Sequence, residues 1–341
     1  MLEIAEQFKS GKLNPWKIKG IIYRHNGELK TTASREYIQD LDSLPFPARH
    51  LFPPADKYRP VLGSCINRPF AHLISSRGCP YQCGFCDRKV FGNKFRARSP
   101  ENVVDEIEKL ISLHGAREIK FFDDTFTLDK ERAYGIFNEL EKRKIQIPWS
   151  CVTRADCVDK PFLQSMKKTG CWQVVYGIES GDQRMLDIMK KGLTLQQSES
   201  AVVLAKDAGL NARATFIIGV PGETMESLNK TIEFAKKLPL DVVNFYACTL
   251  YPGNELYKIA KKEGAMLHED YSQYTPSIDV HKTRLAYVPE GLTEEQLRAA
   301  VARGYKEFYL RADYIYRQIL AIRSWDDMAR YWKAFKIILK L

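Results

Sequence analysis

No stretch of the 341 residues holds the ~20 consecutive apolar positions that a membrane-crossing helix needs; apolar runs such as Val242–Leu250 are strand-length. Residues 1–13 lack the basic start and apolar stretch of a secretory signal and carry Glu3, Glu6 and two lysines instead. Cysteine is scarce: eight in a chain this long are too few for a disulfide scaffold. A cytosolic, cytoplasmic location with reduced thiols is therefore expected. The length suggests one large or two modest domains with a sizeable core.

Charge is unbalanced, at a formal +10. Residues 298–341 hold ten Lys or Arg against four Asp or Glu, so six of the ten excess charges lie there. The excess is largely C-terminal, and no nucleic-acid partner is favoured.

Three of the few cysteines stand together in "SRGCPYQCGFCDRK", residues 76–89: Cys79, Cys83 and Cys86, spaced C-x3-C-x2-C. In a reducing compartment so tight a group reads as a metal-binding loop. Three thiolates on a short loop suit three irons of a [4Fe–4S] cluster and leave the fourth iron open, whereas a closed structural zinc site wants a fourth ligand. A zinc loop borrowing His72 is the alternative.

Around that loop, β-branched apolar runs alternate with helical patterns, which predicts βα units and a parallel sheet. The expected strands are Ala71–Ser75, Glu118–Asp123, Trp149–Thr153, Gln173–Glu179, Ala212–Val220 and Val242–Leu250. Ser99 with Pro100, then Asp129, Thr194 and Thr224, are candidate helix caps. Six such units predict an α/β fold: an open, partial TIM-like (β/α)6 barrel whose chemistry sits at the C-terminal strand ends. Polar or flexible residues mark each end: Gly78-Cys79, Asp123-Asp124, Arg154, Glu179, Gly219 to Gly222, and Tyr251-Pro252-Gly253.

These residues together resemble the radical S-adenosylmethionine (SAM) superfamily. The likeness covers about residues 70–265 and includes aromatic Phe85 just before the last cysteine. "LDSLPFPARHLF", "FFDDTFTLD", "VVYGIESGDQRMLDIMKKG", "FIIGVPGET" and "FYLRADYIYRQI" resemble the cobalamin-binding class, which includes anaerobic magnesium-protoporphyrin ester cyclase and radical SAM methyltransferases. The resemblance implies that Cys79, Cys83 and Cys86 bind a [4Fe–4S] cluster and that SAM is reductively cleaved to a 5′-deoxyadenosyl radical. A small-molecule substrate would be methylated, cyclised or rearranged. The one-electron donor would be a carrier such as flavodoxin or ferredoxin.

Residue by residue, the resemblance implies that the Phe85 backbone lies near adenine. Asp123 or Asp124 stands where relatives bind the SAM amino group or face substrate, although the usual Gly-Gly-Glu is absent. Arg154 would pair with the SAM carboxylate and Glu179 with ribose hydroxyls or the ammonium. Gly219 and Gly222 would let backbone approach the cofactor. Cys151, Cys171 and Cys248 read as buried apolar residues, and Cys65 and Cys157 as open to exposure. Tyr176, Tyr246 and Tyr251 are candidates to face the cavity.

The expected organisation is an N-terminal remnant or linker of a cobalamin-type domain over 1–64, a radical SAM core over 65–268 and a helical region over 269–341. Residues 18–32 look like the closing hairpin of the cobalamin domain, yet Asp-x-His-x-x-Gly is missing. A fragment, a natural short form, or cobalamin carried on another chain are the expectations. In the C-terminal region Thr293 and Ser324 would cap helices. The last carries a Trp325, Met328, Tyr331, Trp332, Phe335, Ile338 and Leu339 stripe flanked by cations. The stripe is expected to pack on its own domain, with peripheral membrane contact as the alternative. Outside the main reading stand an RNA-modifying methylthiotransferase and a non-catalytic iron–sulfur or zinc protein.

Overall fold

Strand-length β-branched segments, each followed by a capped helix, build one six-stranded sheet. The computed structural model describes residues 1–54, 57–58, 63–263, 266–274, 285–322 and 325–340. Met1–Leu41 forms one compact unit and Asp42–Leu341 the other. In the first, α1 (Leu2–Lys9) precedes a hairpin of β1 (Ile22–His25) and β2 (Glu28–Thr31). Asn26 and Gly27 both take positive φ, 50° and 84°, as a two-residue hairpin turn with the right twist requires.

The second unit opens with β3 (Phe70–Leu73), then the short pair β4 (Ser76–Arg77) and β5 (Arg96–Ala97), and α2 (Pro100–His114). There follow β6 (Glu118–Phe121), α3 (Lys130–Lys142), β7 (Trp149–Thr153), α4 (Lys160–Lys168) and β8 (Cys171–Glu179). Next come α5 (Gln183–Ile188), α6 (Leu195–Asp207), β9 (Asn211–Ile218), α7 (Met225–Lys237), β10 (Val242–Ala247) and α8 (Glu255–Glu263). Spatial order is β3-β6-β7-β8-β9-β10 with every pair parallel. Sequence order equals spatial order, so each helix crosses on the same face and the sheet forms the wall of an open (β/α)6 barrel, as expected.

The expected caps are in place. Ser99, Asp129, Thr194, Thr224 and Thr293 each accept a hydrogen bond from the backbone N–H three residues on. Each such cap contributes about 1 kcal/mol. Ser324 lies outside the described residues. Between sheet and helices, Phe121, Phe126, Phe137 and Trp149 pack with ring centroids 4.5–6.5 Å apart. The Trp149 indole N–H is satisfied by the Thr169 carbonyl at 2.8 Å. Cys151, Cys171 and Cys248 are buried as expected; Cys65 and Cys157 are buried too, which corrects the reading of them as open. Tyr176 is fully buried with its hydroxyl on the Ala201 carbonyl of α6, so it does not face a cavity.

The expected 1–64 segment divides. From residue 42 on it joins the barrel unit: Asp42 accepts the Ser99 N–H at 3.0 Å, Phe46 lies under Lys109 and Arg98, and Arg49 pairs with buried Glu106. The C-terminal helices α9 (Glu294–Tyr309), α10 (Ala312–Ala321) and α11 (Trp325–Lys340) belong to the same unit.

Helix α9 covers the open edge at β10. The Tyr309 hydroxyl accepts the Val243 N–H at 3.0 Å and donates to the Val243 carbonyl at 2.8 Å. The Tyr305 hydroxyl does the same for Phe245, at 3.1 and 3.2 Å. Two side chains thereby satisfy backbone groups that a seventh strand would have paired. Gly304 permits the approach, since a Cβ there would meet the Phe245 ring at 3.0 Å.

Helix α11 packs on α9, while Met328, Tyr331, Trp332, Phe335 and Leu339 of its stripe stay partly exposed. No helix among the described residues is long and apolar enough to cross a membrane.

Candidate functional site

Between β4 and β5 the chain makes a closed excursion. Ser76 and Arg77 pair antiparallel with Ala97 and Arg96, so residues 78–95 leave and return at one point. Gly78 takes φ +86°, and a Cβ there would lie 2.2 Å from the Lys94 carbonyl; only glycine fits where the two halves touch. The Cys79 N–H meets the Gly92 carbonyl at 3.4 Å.

Other strand ends clamp the excursion. The Gly84 N–H donates to the Met189 carbonyl after β8, and its carbonyl accepts the Glu255 and Leu256 N–H groups that open α8. The Asn254 amide donates to the Phe85 carbonyl at 3.1 Å. Cys79 and Cys83 are half-buried and Cys86 is exposed. Burial pushes the Cys83 thiol up, while Lys191 and Arg154 pull it down. Although Cys86 is exposed as a residue, protein atoms crowd its sulfur, and that desolvation, then the neighbouring Cys83, push the thiol up to about 11. Among the described residues no three His, Cys, Asp or Glu side chains converge on a single metal ion. His72 sits in β3 edge-on to Phe70 and Phe122.

The two aspartates differ. Asp123 is buried and saturated: it accepts from the Ser75 N–H and the Ser75 and Ser76 hydroxyls at 2.6 Å, with Arg132 at 3.9 Å. It anchors the base of the excursion. Asp124 is exposed as a residue, and its carboxyl accepts the Gly78 N–H at 3.1 Å; partial desolvation of that carboxyl by the surrounding loop raises its pKa against the pull of this hydrogen bond.

Arg154, after β7, stands beside Cys83. Its Nε and Nη2 donate to the Asp156 carboxylate at 3.0 and 3.1 Å, Nη2 also to the Lys191 carbonyl at 2.9 Å, and Nη1 points at the Cys83 sulfur at 3.7 Å. The guanidinium lies 3.5 Å from the Tyr81 ring centroid. Four of its five N–H donors are thus engaged within the protein.

Glu179 ends β8 with φ +72°, a strained value for a non-glycine residue, at a break in the β8–β9 register. Its carboxylate is buried and pairs with Lys191 Nζ at 3.0 Å. Lys191 also lies over the Phe85 ring at 5.6 Å. Lys191 is the residue the sequence reading missed: nothing in the "MKKGLT" stretch distinguishes it from exposed Lys190, which reaches Glu255 instead. Gly219 and Gly222 follow β9 with φ +83° and +78°. Buried Glu223 braces that turn, accepting the Gly219 and Val220 N–H groups through one oxygen while the other has no partner. Burial pushes its carboxyl up to about 7.

A groove of about 520 Å³ opens beside Arg154, lined by Tyr81, Thr127 to Glu131, Asp156 and Cys157. It lies at the strand ends where barrels place chemistry. Three thiols on a rigid loop with two cations beside Cys83 fit an anionic iron–sulfur cluster held by thiolates.

Residues 73–235 match the family described as the radical SAM superfamily. An uncharacterized methyltransferase of Pyrococcus horikoshii is 37% identical over 321 residues, 93% of this chain and 66% of the relative. The anaerobic magnesium-protoporphyrin IX monomethyl ester cyclase of Cereibacter sphaeroides is 28% identical over 299 residues, 86% of this chain and 47% of the relative. Among solved structures, the cobalamin-dependent SAM radical enzyme OxsB, with aqua-cobalamin and SAM bound, has a TM-score of 0.72. It covers 98% of this chain and 53% of its own at 17% identity, a likeness of fold. The chain therefore spans 66% of the first relative's length and about half of the other two.

Proposed function

We propose that the chain, which carries a radical SAM domain over residues 73–235, binds a [4Fe–4S] cluster on Cys79, Cys83 and Cys86 and cleaves SAM to act on a small molecule. The observation that carries the proposal is the closed cysteine excursion with Lys191 and Arg154 beside Cys83. A [4Fe–4S] cluster held by Cys79, Cys83 and Cys86 would supply the one-electron reduction that cleavage of SAM requires.

The protein's part is to hold and orient. Arg154, its fork already on Asp156, fixes the Lys191 backbone and donates toward Cys83. Lys191 keeps N–H donors beyond its single bond to Glu179, so we assign to it the carboxylate of SAM, a role the resemblance implied for Arg154. Glu179 holds that ammonium in place and is the partner for ribose hydroxyls. Phe85, under Lys191, and the turn at Gly219 and Gly222 are assigned to adenine. Asp124, the accessible aspartate of the two, faces substrate or the SAM amino group. Asp123 acts through the loop it anchors.

Methyl transfer and ring closure are the reactions that the relatives' names supply, and methylcobalamin is a candidate methyl donor in the first. A reducing, cytoplasmic setting fits eight free cysteines. The test is anaerobic reconstitution with iron and sulfide, then dithionite and SAM. 5′-Deoxyadenosine is expected from the wild type and only background from Cys83→Ala. A fully loaded protein that neither binds nor cleaves SAM would overturn the proposal.

A further inference from the structure

Strand alternation gives the sheet a helix face and a lumen face. Phe121, Cys151, Tyr176, Ala214 and Phe245 lie on the helix face, all buried. The register sets the opposite row side by side: His72 with Lys120, Val152 with Val175 and then Arg213, Thr215 with Asn244. Residues 63–67 close the floor of this lumen. The Gln173 amide donates to the Gly63 carbonyl at 3.2 Å, and Glu118 accepts the Ile66 and Asn67 N–H groups at 2.7 and 2.8 Å and the Trp172 indole N–H at 3.0 Å.

Above that floor stand two cations, Lys120 and Arg213, both half-buried and neither with an ion-pair partner among the described residues. Lys120 lies over the Phe70 ring at 5.6 Å; the acid one layer below it, Glu118, is already occupied by its three donors. Arg213 gives only Nε, to the Asn244 side-chain oxygen at 2.8 Å, and its terminal N–H groups meet no other described group. The nearby Tyr305 and Tyr309 hydroxyls are held by β10. Burial lowers the Lys120 pKa and Arg213 adds to the fall, against Glu118 and Cys65, which raise it. Two half-desolvated cations on one concave face, with their N–H donors open, are complementary to an anion.

Higher up, the lumen face turns apolar at Val152, Val175 and Ile217. Gly177 then makes room for the buried pair assigned to SAM: a Cβ there would collide with the Glu179 carboxylate and meet Lys191 Nζ at 3.0 Å. That pair therefore overhangs the lumen. Glu179 is level with Phe216 in the register, three residues beyond Arg213 on β9, or about 10 Å of strand.

We propose that the lumen takes a substrate with an anionic end, a phosphate or a carboxylate, seated between Lys120 and Arg213, and an apolar body that runs past Val152, Val175 and Ile217 toward Glu179 and Lys191. The inference rests on the small-molecule reading above and names the class of molecule. Arg213, fixed at Nε by Asn244, presents its terminal N–H groups to the anion, and Lys120 supplies the second charge.

In the test, the full chain is labelled anaerobically with phenylglyoxal or acetic anhydride, and modification of Arg213 and Lys120 is timed by peptide mass spectrometry. Inorganic phosphate and succinate are the probes, with chloride at matched ionic strength as the control. At least one anion should slow both residues severalfold and leave exposed Arg24 and Lys142 unchanged. The anion that protects identifies the end group. By calorimetry, Arg213→Met should bind that anion about tenfold more weakly, the size of one charge-assisted hydrogen bond. If that variant folds poorly, Lys120→Gln should still show a severalfold loss.

A cluster-loaded chain that cleaves SAM while neither anion slows Arg213 or Lys120 would overturn the lumen site alone. So would wild-type affinity in both variants. Protection in a chain that takes up no cluster would overturn the substrate assignment together with the reading beneath it.

Discussion

Replacing both edge tyrosines, Tyr305→Phe/Tyr309→Phe, removes two oxygens and nothing else. Each hydroxyl serves both the N–H and the carbonyl of one β10 residue, so the double variant strands four backbone groups at Val243 and Phe245, both buried. A buried polar group left without a partner costs about 1–3 kcal/mol. Some of the four will find water at an open edge, so about 2 kcal/mol per tyrosine and about 4 kcal/mol for the pair is the expected loss. The rings stack 6.2 Å apart, close enough for the single effects to depart from additivity. Against a total stability of about 5–15 kcal/mol this is large. Urea denaturation of the apoprotein should show a lower midpoint with unchanged slope, and hydrogen exchange should show the 243 and 245 amides losing protection. A double variant within about 1 kcal/mol of wild type, its two amides still protected, would refute the assignment of α9 as the edge cover.

The buried pair at the strand ends predicts an asymmetry. Lys191→Met alone leaves the Glu179 carboxylate buried and unpaired, which should destabilise by about 3–5 kcal/mol, whereas Lys191→Met/Glu179→Leu should recover most of it. A urea titration in which the single variant is neutral, or the double no better than the single, would show that the pair is not buried as described. Glu223 predicts a pH dependence. Its folded-state carboxyl titrates at about 7 against an ordinary 4.5, so the folded chain keeps a proton that the unfolded chain gives up. The contribution is present in full below about pH 4.5 and lost as pH rises past about 7, on the order of 3 kcal/mol in all. Glu223→Gln keeps an acceptor for the Gly219 and Val220 N–H groups and should flatten that part of the stability–pH curve. An unchanged slope between pH 5 and 8 would assign the dependence elsewhere.

What the sequence disclosed is what local physics determines. Strand runs of β-branched residues and the caps at Ser99, Asp129, Thr194, Thr224 and Thr293 depend on neighbours within a few positions; the six strands are found within a few residues of their expected bounds and those five caps in place. The choice between Asp123 and Asp124 was closed to sequence, because both lie past the end of β6 and only the path of that turn decides which one meets Ser75, Ser76 and Arg132. The Arg154 and Lys191 roles failed to separate for a related reason. Asp156, two residues on, takes the guanidinium fork that was expected to meet a ligand, and the lysine that remains available enters through a loop twelve residues past Glu179.

The α9 tyrosines hold one signal that sequence does carry. Four residues of helix rise about 6.0 Å, and two residues of strand about 6.6 Å. A Tyr-x-x-x-Tyr pair on a helix running along an unpaired strand therefore lands on alternate residues, the ones whose N–H and carbonyl point the same way out of the sheet. Tyr305 and Tyr309 meet Phe245 and Val243 on that rule, with the order reversed because the helix runs against the strand. The same geometry explains why the C-terminal helices fall in the barrel's compact unit. An open barrel has an edge to satisfy, and α9 is the element that satisfies it. Truncating the chain before α9 should therefore cost the barrel its edge as well as a helix.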